Sequence, residues 1–303
     1  MPGGTRVRFH GTRGSTPCAG ARYERYGGNT SCVSFEADGH PPVIFDMGTG
    51  LRPYGEELVG FATSGPEGRS HPPFGPFHGA VLLTHLHWDH IQGLPFFGPL
   101  GDPDATLDVY GPRQEEGPLA DVFTGVMRPP YFPIRPDQIG GAVRFHDSAH
   151  DDFAVNGAKV RSRWVRHTSP TLGFRAEVEG VTVAYLSDHG PGCVGDPDDF
   201  VPTDVLDLCD SADLVIHDSQ HTSKEYEAKR HYGHCTVDYA VHVAREAGAR
   251  RLALFHHCPT HSDGDVDLML LHARELCARA SGSLDVFAAA EGLTVDLHQP
   301  LAR

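Results

Sequence analysis

Four side chains of metal-ligating type fall within the six residues His85-Leu86-His87-Trp88-Asp89-His90. The preceding Ala80–Thr84 reads as a buried strand. His85 and His87 are two apart, so an extended backbone points both the same way. Asp89 and His90 fall in the turn that follows and can face a second point. Buried together without partners, such groups would be costly. A bound cation removes that cost, and the chemistry it brings is activation of water for hydrolysis.

One segment of this kind cannot complete two metal sites, so further ligands are expected at other strand ends. His167 closes the strand Ala158–Arg166, Asp188 follows Val181–Leu186, and His256 follows Arg251–Phe255. His257 stands beside His256, but His256 comes first after its strand.

The elements that must position these residues are read from pattern. Strands are expected at Arg6–His10, Ser31–Glu36, Pro42–Asp46, Thr106–Tyr110, Val143–His146, Gly173–Glu179, Leu214–His217, Leu284–Phe287 and Leu293–Leu297, besides those already named. Each is β-branched or aromatic and bounded by Gly, Pro or Asp. Val237–Ala247 and Val266–Ala280 have helical spacing, the first stopped by Gly248. The N-terminal half is thus expected to be mainly strands, and the whole to be two sheets with helices outside. The proline-rich Arg128–Pro136 stretch is expected at the surface, as a packed loop or a cleft wall.

Composition narrows the function. The chain has 303 residues, enough for one large domain or two small ones. Forty acids against 25 bases give a formal charge of −15, which disfavours extended contact with nucleic acid. No run approaches the ~20 apolar residues of a membrane span, and the Met-Pro-Gly-Gly-Thr-Arg start lacks a signal-peptide pattern. The seven cysteines, Cys18, Cys32, Cys193, Cys209, Cys235, Cys258 and Cys277, are scattered and form no C-x-x-C pair. Reduced thiols in a cytoplasm are expected. The 21 histidines are the compositional outlier.

With its His-x-His-x-Asp-His segment at 85–90, the sequence resembles the metallo-β-lactamase fold superfamily. The likeness runs in order along nearly the whole chain: Phe45-Asp46-Met47-Gly48-Thr49-Gly50, then His167, Asp188 and His256. It implies an α+β fold, a four-layer αββα sandwich spanning residues 1–303 as a single hydrolase domain, with a dinuclear centre at one sheet edge. Carried over by position, His85, His87 and His167 would hold one ion, Asp89, His90 and His256 the other, and Asp188 would bridge them. Asp46 would support the metal loop from behind. His/Asp ligation suits zinc first, and manganese or iron as well.

Phe9 through Pro17, Tyr26-Gly-Gly-Asn-Thr-Ser-Cys32, Asp89 through Phe97, His217-Asp218-Ser219-Gln220 and Gly233-His234-Cys235-Thr236 resemble the phosphodiesterase branch, which includes ribonuclease Z and cyclic-nucleotide phosphodiesterase-like proteins. That likeness makes His234 the expected general acid, although Thr236 is the better cap for the helix from Val237. His189 and His257 are the next proton donors in line. Asp188 and Asp89 complete the expected catalytic set, and Arg13 and Phe97 are the expected substrate contacts. Gly11–Ser15 is expected to be a turn at the site edge. His261–Asp265 is expected to cap the helix from Val266.

The expected activity is hydrolysis of a small phosphodiester, such as a cyclic nucleotide or short oligonucleotide, by a hydroxide bridging two divalent ions. There is no long Gly- and Lys-rich arm of the kind ribonuclease Z uses on tRNA, so long nucleic acid is not the expected partner. The sequence leaves a homodimer open. The competing readings are a thioester, lactone or β-lactam hydrolase on the same centre, and a low-turnover metal-binding sensor.

Overall fold

The computed structural model describes residues 4–59, 75–191, 200–279 and 283–298. The first seven-stranded sheet holds β1 (Thr5–Gly11), β2 (Cys32–Ala37), β3 (Val43–Phe45), β4 (His78–Leu82), β5 (Thr106–Pro112) and β6 (Ala142–Ser148), with β14 (Thr294–Asp296) on the outer side of β1. The second runs β7 (Asp152–Val155), β8 (Ala158–Val165), β9 (Thr171–Val178), β10 (Val181–Leu186), β11 (Leu214–Asp218), β12 (Arg251–Phe255) and β13 (Asp285–Ala288), seven strands in chain order.

Alternation along the strands sorts their side chains between layers. Val7, Phe9, Phe45 and Leu82 from one sheet meet Phe174, Val183, Tyr185, Ile216 and Phe255 from the other. The opposite face of the first sheet, with Ile44, Val81 and Val109, is covered by α1 (Leu51–Leu58) and α3 (Leu119–Val126) through Leu51, Tyr54 and Phe123. The opposite face of the second is covered by α4 (Thr203–Cys209), α6 (Val237–Glu246) and α7 (Asp263–Ala278) through Leu208, Val241 and Met269. Among the described residues there are two further short α-helices, α2 (Trp88–Ile91) and α5 (Ser223–Lys229). The expected helix–sheet–sheet–helix sandwich is therefore present.

All the expected strands form, each within two residues of the expected bounds. The helices of the N-terminal half were not anticipated. Leu51–Leu58 carries Pro53 and Gly55, poor helix formers, yet it is helical. Pro53 sits in the first turn, where a missing N–H costs nothing, and burial of Leu51 and Tyr54 outweighs propensity. The strand β7 was also missed. Asn156 and Gly157, both at positive φ, close a tight hairpin between β7 and β8. Ala280 and Cys193 lie outside the described residues.

Chain direction explains where the site forms. β10, β11 and β12 are parallel neighbours, with Leu186 opposite His217 and Asp218 opposite Phe255. β8 is antiparallel to β9 and β9 to β10, so β8 ends at the same edge. The carboxyl ends of four strands thus open onto one edge, the usual place for a site in such sheets. Among the described residues no helix is long and apolar enough to cross a membrane.

Candidate active site

The predicted ligands converge on that edge. His85, His87, His167 and Asp188 each offer an atom within 4.8 Å of the others, and so do Asp89, His90 and His256. The two oxygens of Asp188 divide between the groups. Oδ2 lies 3.7 Å from His85 Nε2 and 3.6 Å from His167 Nε2. Oδ1 lies 3.1 Å from His90 Nε2 and 3.2 Å from His256 Nε2. Asp89 Oδ2 completes the second group at 3.2 Å from both His90 Nε2 and His256 Nε2.

The surroundings set which ring nitrogen faces the centre. His90 Nδ1 donates to Asp46 at 2.7 Å, and His167 Nδ1 donates to the Gly233 carbonyl at 2.9 Å. His85 Nδ1 lies 3.0 Å from Thr84 Oγ1, which itself donates to Asp46. Each arrangement leaves Nε2 as the inward lone pair. Asp46 also accepts from the hydroxyls of Tyr185 and Ser187, so it is buried, fully engaged and behind the cluster. Gln220 holds His256 from outside, its amide 3.1 Å from Nδ1. Gly14 must lack a side chain, because a Cβ there would strike His256 and Gln220.

His85 Nε2, His90 Nε2 and Asp188 Oδ1 are buried and have no hydrogen-bond partner. Orphaned atoms of this kind, gathered around the Asp188 carboxylate, are the mark of a cation site. Charge agrees with the geometry. Burial alone would raise the Asp89 and Asp188 carboxyls, but the facing histidines hold both well below the usual range. Burial would lower His90, yet Asp89, Asp188 and Asp46 raise it well above the ordinary value. Burial keeps His85 neutral, its pKa well below the ordinary value.

His234 stands beside both groups, its ring stacked on His256 at 4.9 Å and 5.1 Å from that of His167. Its Nδ1 donates to Asp218 Oδ2 at 2.7 Å. Burial pushes its pKa down, but Asp218 and then Asp188 raise it to about 9. Thr236 caps α6, accepting from Tyr239 N at 3.1 Å. The loop carrying His234 closes tightly on the cluster at Gly233, in the left-handed region at φ 78°, where a Cβ would come 2.7 Å from His167 Nδ1.

Two expected substrate contacts are elsewhere. Arg13 is wholly buried, its guanidinium held by the carbonyls of Gly27, Cys258 and His261 and lying 3.6 Å from Asp263. It clamps loops together beneath the surface and cannot reach a substrate. Phe97 is 3% exposed and packs on Phe77 and Tyr54, inside the layer under α1. The fallback proton donors also face away, His257 donating to the Ala289 carbonyl and His189 pairing with His217. Ser262, one residue before the expected segment's acids, caps α7. Ser15 N donates to Asp89 at 2.7 Å, so the Gly11–Ser15 turn does border the site. No residue of 128–136 lines the cleft. Asp218 and Gln220 were not singled out as site residues. Their sequence signals are the His217–Gln220 segment's likeness to the phosphodiesterase branch and its place at the end of a buried strand.

A fold of two facing sheets with a His/Asp cluster at the strand ends defines a class. The family described as the β-lactamase superfamily domain matches residues 63–257, and the chain belongs to it. It is a metal-dependent hydrolase of the metallo-β-lactamase fold, and the fold implies divalent metal ions. The chain is 27% identical over 287 residues to ribonuclease Z of Natronomonas pharaonis, covering 83% of this chain and 86% of that one. The metallo-β-lactamase fold protein YhfI from Bacillus subtilis superposes with a TM-score of 0.68 at 18% identity, covering 97% and 99% of the two chains. Human tRNase Z, short form, superposes at 0.64 and 20% identity, covering 96% and 99%.

Proposed function

We propose that residues 1–303 act as one phosphodiesterase domain on a small phosphodiester, such as a cyclic nucleotide or short oligonucleotide. His85, His87 and His167 hold one divalent ion, Asp89, His90 and His256 a second, and Asp188 lies between them. Zinc suits this His/Asp set first. Divalent ions there would activate water and neutralise a phosphoryl oxygen.

The observation that carries the reading is the Asp218–His234 pair beside the cluster. A ribose alkoxide is a poor leaving group without a proton. His234 is charged in the neutral range and donates that proton to the departing oxygen. Asp218 fixes the ring's orientation through Nδ1. A thioester or lactone has less need of such a donor, and a sensor has none.

Substrate size follows from the cleft's charge. Among the described residues lining it, Lys229 is the one lysine or arginine, and it is paired with Glu225 at 3.4 Å. Few phosphates can be neutralised there. A cytoplasmic location belongs to the same reading, since the six described cysteines are all free.

The likeness to ribonuclease Z supports a second reading, cleavage of precursor tRNA. The metal-loaded protein, tested on cyclic nucleotides, dinucleotides, precursor tRNA, a thioester and a lactone, separates these. A small phosphodiester as best substrate with a shallow salt dependence is expected. Precursor tRNA as best substrate, with a steep salt dependence, would replace the first reading by the second.

A further inference from the structure

Three of the four residues of α2, Asp89, His90 and Ile91, face inward, and the first, Trp88, does not. Its indole is 69% exposed at the cleft. Across the segment that ends at Gly233, Tyr232 is 54% exposed and lines the same cleft, its ring packed 4.2 Å from that of His231. Exposed aromatic rings occur elsewhere on this chain, Tyr131 among them, but these two open into the cleft that holds the cluster. The cleft encloses about 810 Å³, far more than a bare phosphodiester fills. Apart from the divalent ions, the one cation among the described lining residues is the paired Lys229, so the protein itself offers a phosphate little charge. Flat apolar faces beside a polar reaction centre suit one ligand class, the nucleobase, whose stacking needs no charge and little sequence preference.

We propose that Trp88 and Tyr232 are specificity-determining residues that stack nucleobases in the cleft beside the His/Asp cluster. The substrate is then a nucleobase-bearing phosphodiester, and its bases supply most of its ground-state binding. This rests on the phosphodiesterase reading for turnover, but the binding it describes stands apart from turnover.

Two measurements test it separately. The chain has two tryptophans, and the other, Trp164, lies on β8 outside the cleft lining. In Trp164→Phe, fluorescence comes from Trp88 alone. Adenosine monophosphate should quench it saturably, and ribose 5-phosphate at equal concentration should not. Equal effects, or none, overturn the proposal whatever the enzyme hydrolyses. The second measurement compares a nucleoside 2′,3′-cyclic phosphate with its abasic counterpart. Trp88→Ala and Tyr232→Ala should each raise KM for the nucleotide roughly 5- to 150-fold with kcat little changed. KM for the abasic compound should stay put, and Trp88→Phe should recover most of the loss. Equal losses on both compounds would overturn the proposal. If quenching is seen but neither compound turns over, the phosphodiesterase reading fails and base binding survives. If Trp88→Ala converts a dimer to a monomer in sedimentation while nucleotides fail to quench, the patch is a contact between copies and the proposal falls.

Discussion

His234 Nδ1 lies 2.7 Å from Asp218 Oδ2, although the two residues are 16 apart, one ending β11 and the other in the loop before α6. Asp218 also accepts from the backbone N–H of Gln220 at 2.9 Å, so its carboxylate is fixed before His234 meets it. The pair turns an ordinary histidine into a held proton donor.

His234→Ala should cost about 10²–10⁴-fold on substrates with a ribose alkoxide leaving group. It should cost far less on bis(p-nitrophenyl) phosphate, whose leaving group needs no proton. Metal content, read by elemental analysis, should not change. Equal losses on both substrates would make His234 a positioning residue.

Asp218→Asn removes the charge that holds the His234 pKa up at about 9. A donor must be protonated, so activity falls as pH rises through its pKa. The alkaline limb of the kcat profile should therefore move to lower pH in the variant. An unmoved limb would assign that limb to another group.

Asp188→Ala should leave the two ligand groups without the carboxylate that faces both. We expect ions per chain to drop from two toward one, with most activity lost. At most one ion in a fully active wild-type sample would reject the two-ion arrangement.

Asp46 orients His90 and Thr84 without facing the centre. Asp46→Asn should weaken metal affinity about 10- to 100-fold, as loss of such supports typically does. Competition with a chromophoric chelator measures it. Unchanged affinity would mean that Tyr185 and Ser187 suffice to hold the loop.

Away from the cluster, Thr222 and Glu225 cap α5 reciprocally, and His261 lies 2.9 Å from Glu225. Burial would raise the Glu225 pKa, but these bonds take it from 4.5 to about 2. A depressed carboxyl stabilises the fold above its unfolded pKa, and that contribution is lost as pH falls through the folded value. Glu225→Gln should therefore lower Tm at pH 7, with the difference from wild type closing between about 4.5 and 2. A difference independent of pH would assign the effect to packing.

Much of this site could be read from the order of residues alone. His85, His167, Asp188 and His256 each follow a buried apolar strand, and His87, Asp89 and His90 come within five residues of His85, so few strand ends carry the whole set. Periodicity likewise located the strands, because alternation and burial are local properties. It failed at Leu51–Leu58, where packing against the sheet overrides a helix-poor sequence.

Side-chain direction in loops was decided only by the tertiary structure. His256 takes a left-handed backbone at φ 59°, which turns it toward Asp188 and sends His257 toward Ala289. Arg13 belongs to a glycine-flanked turn at the site's edge, yet distant carbonyls at Cys258 and His261 draw it inside. Phe97 follows a short turn whose packing buries its ring under α1. Asp218 becomes the partner of His234 because β11 and the start of α6 close on each other, a contact with no periodic trace. Residue type and strand position settle what chemistry a chain can carry. Which groups face one another depends on backbone angles and long-range contacts that exist only once the two sheets have packed.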